Sequence, residues 1–164
     1  MSDRGGGRDR TTYPPMSLQE LEGGFFDGEG NLRPKLLDDV ARGLGERFAQ
    51  FGMDRVSNAQ LRRFYGDLKE LQKEIRADAE ALREMQGGSE GGTGPAFRRY
   101  EARIRMLKSK VAYAAGRRTI PASFEKFISR CIDMVDSLRA FDACVTFLES
   151  VVGYFYGFGG ERNR

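Results

Sequence analysis

The 164-residue sequence contains no histidine and no tryptophan. Without histidine, the chain cannot build a Ser-His-Asp or Cys-His nucleophilic site, or a zinc or iron centre held by histidine. It also lacks the one side chain that titrates near neutral pH without help from its surroundings. Only carboxylate, lysine and tyrosine chemistry stays open. The composition therefore disfavours an enzyme, and we expect no cofactor.

Cysteine and long hydrophobic runs are scarce as well. Cys131 and Cys144 are too few for a four-thiolate metal site, and both lie in apolar helical patterns. We expect them to be reduced core thiols. No stretch approaches the roughly 18 apolar residues of a membrane span, and residues 1–10 lack the apolar run of a signal peptide. These absences predict a soluble, cytoplasmic protein with no membrane partner.

Glycine is abundant, with 21 residues that mark the boundaries of the predicted elements. We expect a disordered tail over residues 1–16, a flexible loop over residues 87–94 and a disordered end over residues 159–164. Between these segments the apolar residues follow helical spacing, and strand-like alternation never lasts. The predicted fold is all-α: a single-domain bundle of about five helices, two of them long, over residues 17–158.

Prolines, glycines and capping residues bound the five predicted helices. The last helix is apolar on almost every side, which is typical of a helix at the centre of a bundle or against a partner. The predicted spans are Pro34 to Phe51, Ser57 (a capping box) to about Gln86, Pro95 to Gly116 (a C-cap), Pro121 to Leu138, and about Phe141 to Tyr156.

Positive charge is concentrated in the third predicted helix. Residues 95–120 carry eight basic residues and one acidic residue, a local charge of +7 in a chain whose net charge is +3. The acids are too few for pairing within the helix to explain the arginines, and the planar guanidinium suits phosphate oxygens. The pattern indicates phosphate-backbone binding, with a solvated helix face as the alternative. Four cations lie within about 40° of one another, beside Tyr113: Arg99, Arg103, Lys110 and Arg117.

The second predicted helix separates its charges onto two flanks of the apolar stripe. If it packs antiparallel to the third helix, we expect the basic flanks of the two helices to form one continuous groove wall. The basic flank holds Arg62, Lys69, Lys73 and Arg76, and the acidic flank holds Asp67, Glu70, Glu74 and Asp78.

Motifs for nucleotide or metal binding are missing or incomplete. The sequence has no Walker A loop and no G-x-G-x-x-G. The acidic residues from Asp27 to Asp38 depart from a calcium loop, because Leu32 stands where that loop needs glycine. Asp133 and Asp136 are expected on a solvated face. A metal-dependent carboxylate nuclease remains a minor alternative.

Four segments in series resemble one known family. They are FFDGEGNL at 25–32, LRRFY at 61–65, LKSKVAYAAGR at 107–117 and FLESVVGYF at 147–155. Together they are similar to the Csm small subunit of type III-A CRISPR–Cas effector complexes, over roughly residues 23–156.

The resemblance implies a small helical protein with no catalytic role. In that family, several copies line up along the guide RNA–target RNA duplex, beside backbone subunits that cut the target and a large subunit responsible for signalling or DNA cleavage. The family's basic positions carry over to Arg62, Lys108, Lys110 and Arg117. Lys108 lies near the apolar seam, and we expect it to extend toward a neighbouring subunit.

The sequence thus predicts an RNA-binding face with no catalytic or metal-ligating residue. The expected partners are the guide–target RNA duplex, the backbone and large subunits, and neighbouring copies of the chain. The alternative is a helical scaffold or adaptor that binds only proteins. The candidate RNA-binding residues are Arg62, Lys69, Lys73, Arg99, Arg103, Lys108, Lys110, Tyr113, Arg117 and Arg118.

Overall fold

The computed structural model describes residues 16–50, 52–85 and 94–160, and helices joined by turns and short irregular segments make up most of these ranges. A π-helical segment, Leu36–Val40, leads into the first α-helix. The one strand-like pairing in the described ranges is an isolated bridge between Phe26 and Leu32. The predicted all-α bundle is confirmed. Its helices are α1 (Ala41–Gln50), α2 (Asn58–Met85), α3 (Gly94–Gly116), α4 (Ala122–Asp133) and α5 (Leu138–Gly157).

Helix α5 is the centre of the bundle. It contacts each of the other four helices. Its Phe141, Phe147 and Phe155 are fully buried, and Phe147 packs edge-on against Phe127 of α4 with ring centroids 5.7 Å apart. The central position predicted from its all-round apolar surface is confirmed.

The crossing of α1 over α5 depends on a glycine. A Cβ atom at Gly45 would lie 2.5 Å from Cβ of Tyr154 and 2.8 Å from the backbone nitrogen of Phe155. Both neighbours belong to the central helix, and the second is backbone that cannot move aside. The close approach of α1 and α5 therefore requires glycine at this position.

The boundary between α4 and α5 differs from the prediction. Helix α4 ends at Asp133 rather than at Leu138, and Leu138 is instead the first residue of α5. The side chain of Ser137 accepts a hydrogen bond from the backbone N–H of Ala140 at 3.1 Å and so begins a new helix. Val135 is fully buried in the intervening turn. Because this buried residue fits the helical spacing of the apolar residues, the predicted helix extended through the turn.

Both ends of the described chain pack against the bundle. Met16 packs against the hydrophobic core, and Gly160 is buried and donates its N–H to the carbonyl of Phe155 at 2.9 Å. Gly94, predicted as loop, is the first residue of α3. The rest of the predicted tails and loop, residues 1–15, 86–93 and 161–164, lies outside the described residues. No helix in the described ranges is long and apolar enough to cross a membrane.

Candidate nucleic-acid interface

Antiparallel packing of α2 and α3 places acidic side chains of α2 against basic side chains of α3. The paired residues have equal spacing on the two helices: a step of four or seven residues toward the start of α2 corresponds to the same step toward the end of α3. We call this arrangement the charge ladder. Its three rungs are Asp78–Arg99 at 3.1 Å, Glu74–Arg103 at 2.5 Å and Asp67–Lys110 at 3.6 Å between the charged atoms.

The charge ladder overturns the predicted groove wall, because the acidic flank of α2 and not its basic flank faces α3. The basic flank lies toward α5. There Arg76 pairs with Asp142 at 3.2 Å, and Nε of Arg62 donates to the hydroxyl of Tyr156 at 3.1 Å. Lys69 and Lys73 line a shallow surface depression together with Arg76.

Hydrogen bonds within the charge ladder favour the ionised form of two carboxylates, Glu74 and Asp78. The guanidinium of Arg103 lowers the pKa of the Glu74 carboxyl. The pKa of Asp78 is lowered first by the hydroxyl of Tyr100, which donates to it at 2.8 Å, and then by Arg99. The same contact raises the pKa of Tyr100. Arg99 and Arg103 are therefore already neutralised by their own chain.

Lys108 also binds an acidic residue of its own chain. Its Nζ lies 2.5 Å from Oδ1 of Asp133 at the end of α4. One turn earlier, Arg105 donates to the carbonyls of Ile132 and Val135 at 2.8 and 2.9 Å. Within the chain this contact joins α3 to α4, and the extension of Lys108 toward a neighbouring subunit stays a prediction.

The charge ladder stops where α2 begins and α3 ends. Seven residues before Asp67 on α2 and seven after Lys110 on α3, the matching residues are Gln60 and Arg117. This position has no ion pair because the first turn of α2 contains no acidic residue. The guanidinium carbon of Arg117 lies 5.9 Å from the ring centroid of Tyr113. No carboxylate of the described residues forms a salt bridge with Arg117. Among the described residues, positive charge without an acidic partner therefore collects at this end of the two helices.

A cavity of about 400 Å³ opens at the same place, between the start of α2, the end of α3 and the start of α4. We call it the basic cleft. Ile120 and Phe124, which are buried, and Phe64, which is partly buried, form its apolar part. Asp67 is its one acidic residue among the described lining residues. The basic and aromatic side chains that line it are Arg63, Lys110, Tyr113 and Arg117.

Arg63 is the cleft residue that the sequence analysis missed. No salt bridge to it occurs within the described chain. Helical spacing was the signal that could have found it, because it lies three residues after Gln60 and four before Asp67, on the face that meets α3. Of the predicted site residues, the structure brings three into this cleft: Lys110, Tyr113 and Arg117.

Arg118 closes α3 in a backbone conformation that favours glycine. Its φ is 58°. The N–H of Thr119 bonds to the carbonyl of Ala114 at 3.0 Å, and the N–H of Arg118 bonds to that of Ala115 at 2.9 Å, which is the Schellman pattern. The predicted cap at Gly116 is therefore displaced by two residues. An arginine occupies a strained position beside the basic cleft.

Together these features define a class: a small all-α protein with a basic cleft and, in the part of the chain described, no cluster of three potential metal ligands. The family model for Csm2 Type III-A matches residues 31–161. The chain therefore belongs to this family, the small subunit of type III-A CRISPR effector complexes, which act together with other Csm subunits. No curated protein and no solved structure matches the chain.

Proposed function

We propose that this Csm2-family chain is a non-catalytic cytoplasmic subunit that binds the guide RNA–target RNA duplex, in several copies along its effector complex. The observation that carries the proposal is the end of the charge ladder. There Arg63 and Arg117 lack a carboxylate partner in the described chain, and Lys110 has a distant one at 3.6 Å. Phosphate oxygens are the natural partners for such a group of cations.

The phosphate contacts are assigned to cations near the start of α2 and the end of α3. Arg63, Lys110 and Arg117 line the cleft, and Arg62 and Arg118 are exposed neighbours in sequence. Lys69 and Lys73 extend the surface along α2. Arg99, Arg103 and Lys108 were predicted contacts as well, but each must first leave a carboxylate of its own chain. We therefore expect them to contribute less.

Binding of this kind is independent of sequence, because backbone phosphates are identical along any duplex and the guide supplies specificity by base pairing. A few phosphate contacts give one copy only modest affinity. Copies arranged along one duplex reinforce one another through effective concentration. A single copy should therefore bind the duplex weakly, and the assembled complex should bind it strongly.

A salt titration tests the proposal with the full chain and a labelled guide–target RNA duplex. Five phosphate contacts predict a slope of about −4.5 in log affinity against log salt, and a loss of about 500-fold between 50 and 200 mM salt. Absence of duplex binding at 50 mM salt would overturn the proposal and favour the alternative, an adaptor that binds only proteins. Co-purification of the chain with a CRISPR RNA and other Csm subunits tests the assembly part.

The absence of catalysis has its own test. RNA incubated with the purified chain in Mg²⁺ or Mn²⁺ is expected to remain intact. Cleavage that disappears in the Asp133→Ala/Asp136→Ala variant would instead support the carboxylate nuclease.

A further inference from the structure

The basic cleft has more depth and more apolar surface than phosphate binding requires. A phosphate is bound by charged or N–H hydrogen-bond donors and does not need an apolar surface. Here a cavity of about 400 Å³ runs in from the basic rim, and Ile120 and Phe124 line it with 7% and 1% of their surface exposed. This volume falls in the range of sites for small organic ligands. The apolar part of the cleft therefore suits a poorly hydrated ligand group such as a planar ring.

An aromatic side chain stands at the mouth of this cavity. Tyr113 is 68% exposed, so its ring is accessible to a ligand. Arg117 lies over its ring at 5.9 Å and donates to its hydroxyl at 3.4 Å, which holds it in place. A π-surface fixed beside an apolar cavity is the arrangement on which nucleic-acid bases stack.

The polar groups of the cleft suit the remaining parts of a nucleotide. Arg63, Lys110 and Arg117 surround the cavity with positive charge for a phosphate. Asp67 and Gln60 line the same cavity and offer acceptors to the amino groups of a base or to a ribose hydroxyl. Helix α4 begins at Ala122, between two lining residues, so the positive end of its dipole adds to this field.

We infer that the basic cleft binds one unpaired nucleotide of an RNA strand, with its base between Tyr113 and the apolar wall and its phosphate on the cationic rim. This inference rests on the proposed function and adds a substrate feature to it. A paired base is held in its stack and cannot enter the cavity, whereas a bulged or terminal base can. The chain should therefore prefer a duplex that carries an unpaired nucleotide over a fully paired one.

The test compares two RNA duplexes of otherwise equal sequence, one fully paired and one with a single bulged 2-aminopurine nucleotide. The expected result is about tenfold tighter binding of the bulged duplex by the wild-type chain, the contribution of one stacked base. Stacking on the tyrosine also quenches the 2-aminopurine fluorescence.

Two variants remove the site in different ways while the cations stay. Tyr113→Ala removes an exposed ring, and Ala114→Leu fills the cavity from a partly buried position that lines it. Both are expected to lose the tenfold preference and the quenching. The matched control is Tyr156→Ala, which removes another tyrosine with an arginine 5.9 Å from its ring but outside the cleft. It should keep the preference.

The outcomes separate the two ideas. Equal wild-type affinity for both duplexes, with no quenching, would overturn the nucleotide site and leave the proposed function standing. A preference that survives in both Tyr113→Ala and Ala114→Leu would also overturn it. Failure to bind either duplex at 50 mM salt would overturn the proposed function itself.

Discussion

Removing two arginines from the basic cleft should affect RNA binding far more than removing two from the charge ladder. The first variant is Arg63→Ala/Arg117→Ala, and the second is Arg99→Ala/Arg103→Ala. Both lower the net charge from +3 by two units, so a difference between them reflects position rather than total charge. The cleft pair has no carboxylate partner in the described chain, whereas the ladder pair binds Asp78 and Glu74.

The magnitude follows from counterion release. At 0.15 M salt each phosphate contact contributes about fivefold to affinity, so loss of two contacts costs about 30-fold. Arg103 lies 14 residues from Arg117 on the same helix, about 21 Å along its axis. That distance exceeds twice the Debye length of about 8 Å at this salt concentration. The ladder variant should therefore lose less than about threefold in affinity.

Fluorescence anisotropy with a labelled guide–target duplex measures both affinities, and thermal unfolding followed by circular dichroism checks that both variants fold. The ladder variant should melt at a lower temperature than the wild type, because its two cross-helix ion pairs are gone. Equal loss of RNA affinity in the two variants would refute the reasoning. It would mean that the ladder arginines leave their carboxylates to reach phosphates.

Three further predictions concern stability. Gly45→Ala should lower the free energy of unfolding by about 2 kcal/mol because the added methyl group clashes with α5. Its control, Gly43→Ala, lies in open space on the same helix and should raise the free energy of unfolding by about 0.5–1 kcal/mol. Chemical denaturation measures both changes, and equal changes would contradict the close crossing of α1 and α5. Because the pKa of Glu74 is lowered in the fold, its contribution to stability is present above its ordinary value of 4.5 and lost as the pH falls below it. Chemical denaturation of Glu74→Gln at several pH values should therefore show a smaller fall in the free energy of unfolding between about pH 5 and 3 than the wild type shows. Arg118→Gly should raise the free energy of unfolding by about 1 kcal/mol because the residue has a positive φ, and it should weaken RNA binding. Arg118→Ala should weaken RNA binding without raising the free energy of unfolding. A higher free energy of unfolding in both variants would contradict backbone strain at this position.

Local sequence determined most of the architecture. The capping serine Ser57 and Pro95 place the starts of the long helices to within one residue, because hydroxyl side chains and proline act on the backbone beside them. The apolar residues around α5 indicated a position at the centre of the bundle or against a partner, since a helix that is apolar on almost every side must be covered. The one clear boundary error, at the end of α4, arose because Val135 is buried in a turn that continues the helical spacing.

The sequence also determined that charge is separated on α2 and concentrated on α3, and its four family segments predicted the Csm family that the match to residues 31–161 shows. It did not determine which flank of α2 meets α3. Both flanks border the same apolar stripe, so burial of that stripe is satisfied either way.

Only the packing of the two helices decided this, by bringing together side chains 21 to 43 positions apart in the chain, from Asp78–Arg99 to Asp67–Lys110. That choice neutralises most of the basic stripe seen in the sequence. It leaves uncompensated charge where the acids of α2 run out, and there Arg63, absent from the sequence prediction, completes the cleft. Ion pairing between helices depends on their relative rotation, which tertiary contacts set and local sequence does not.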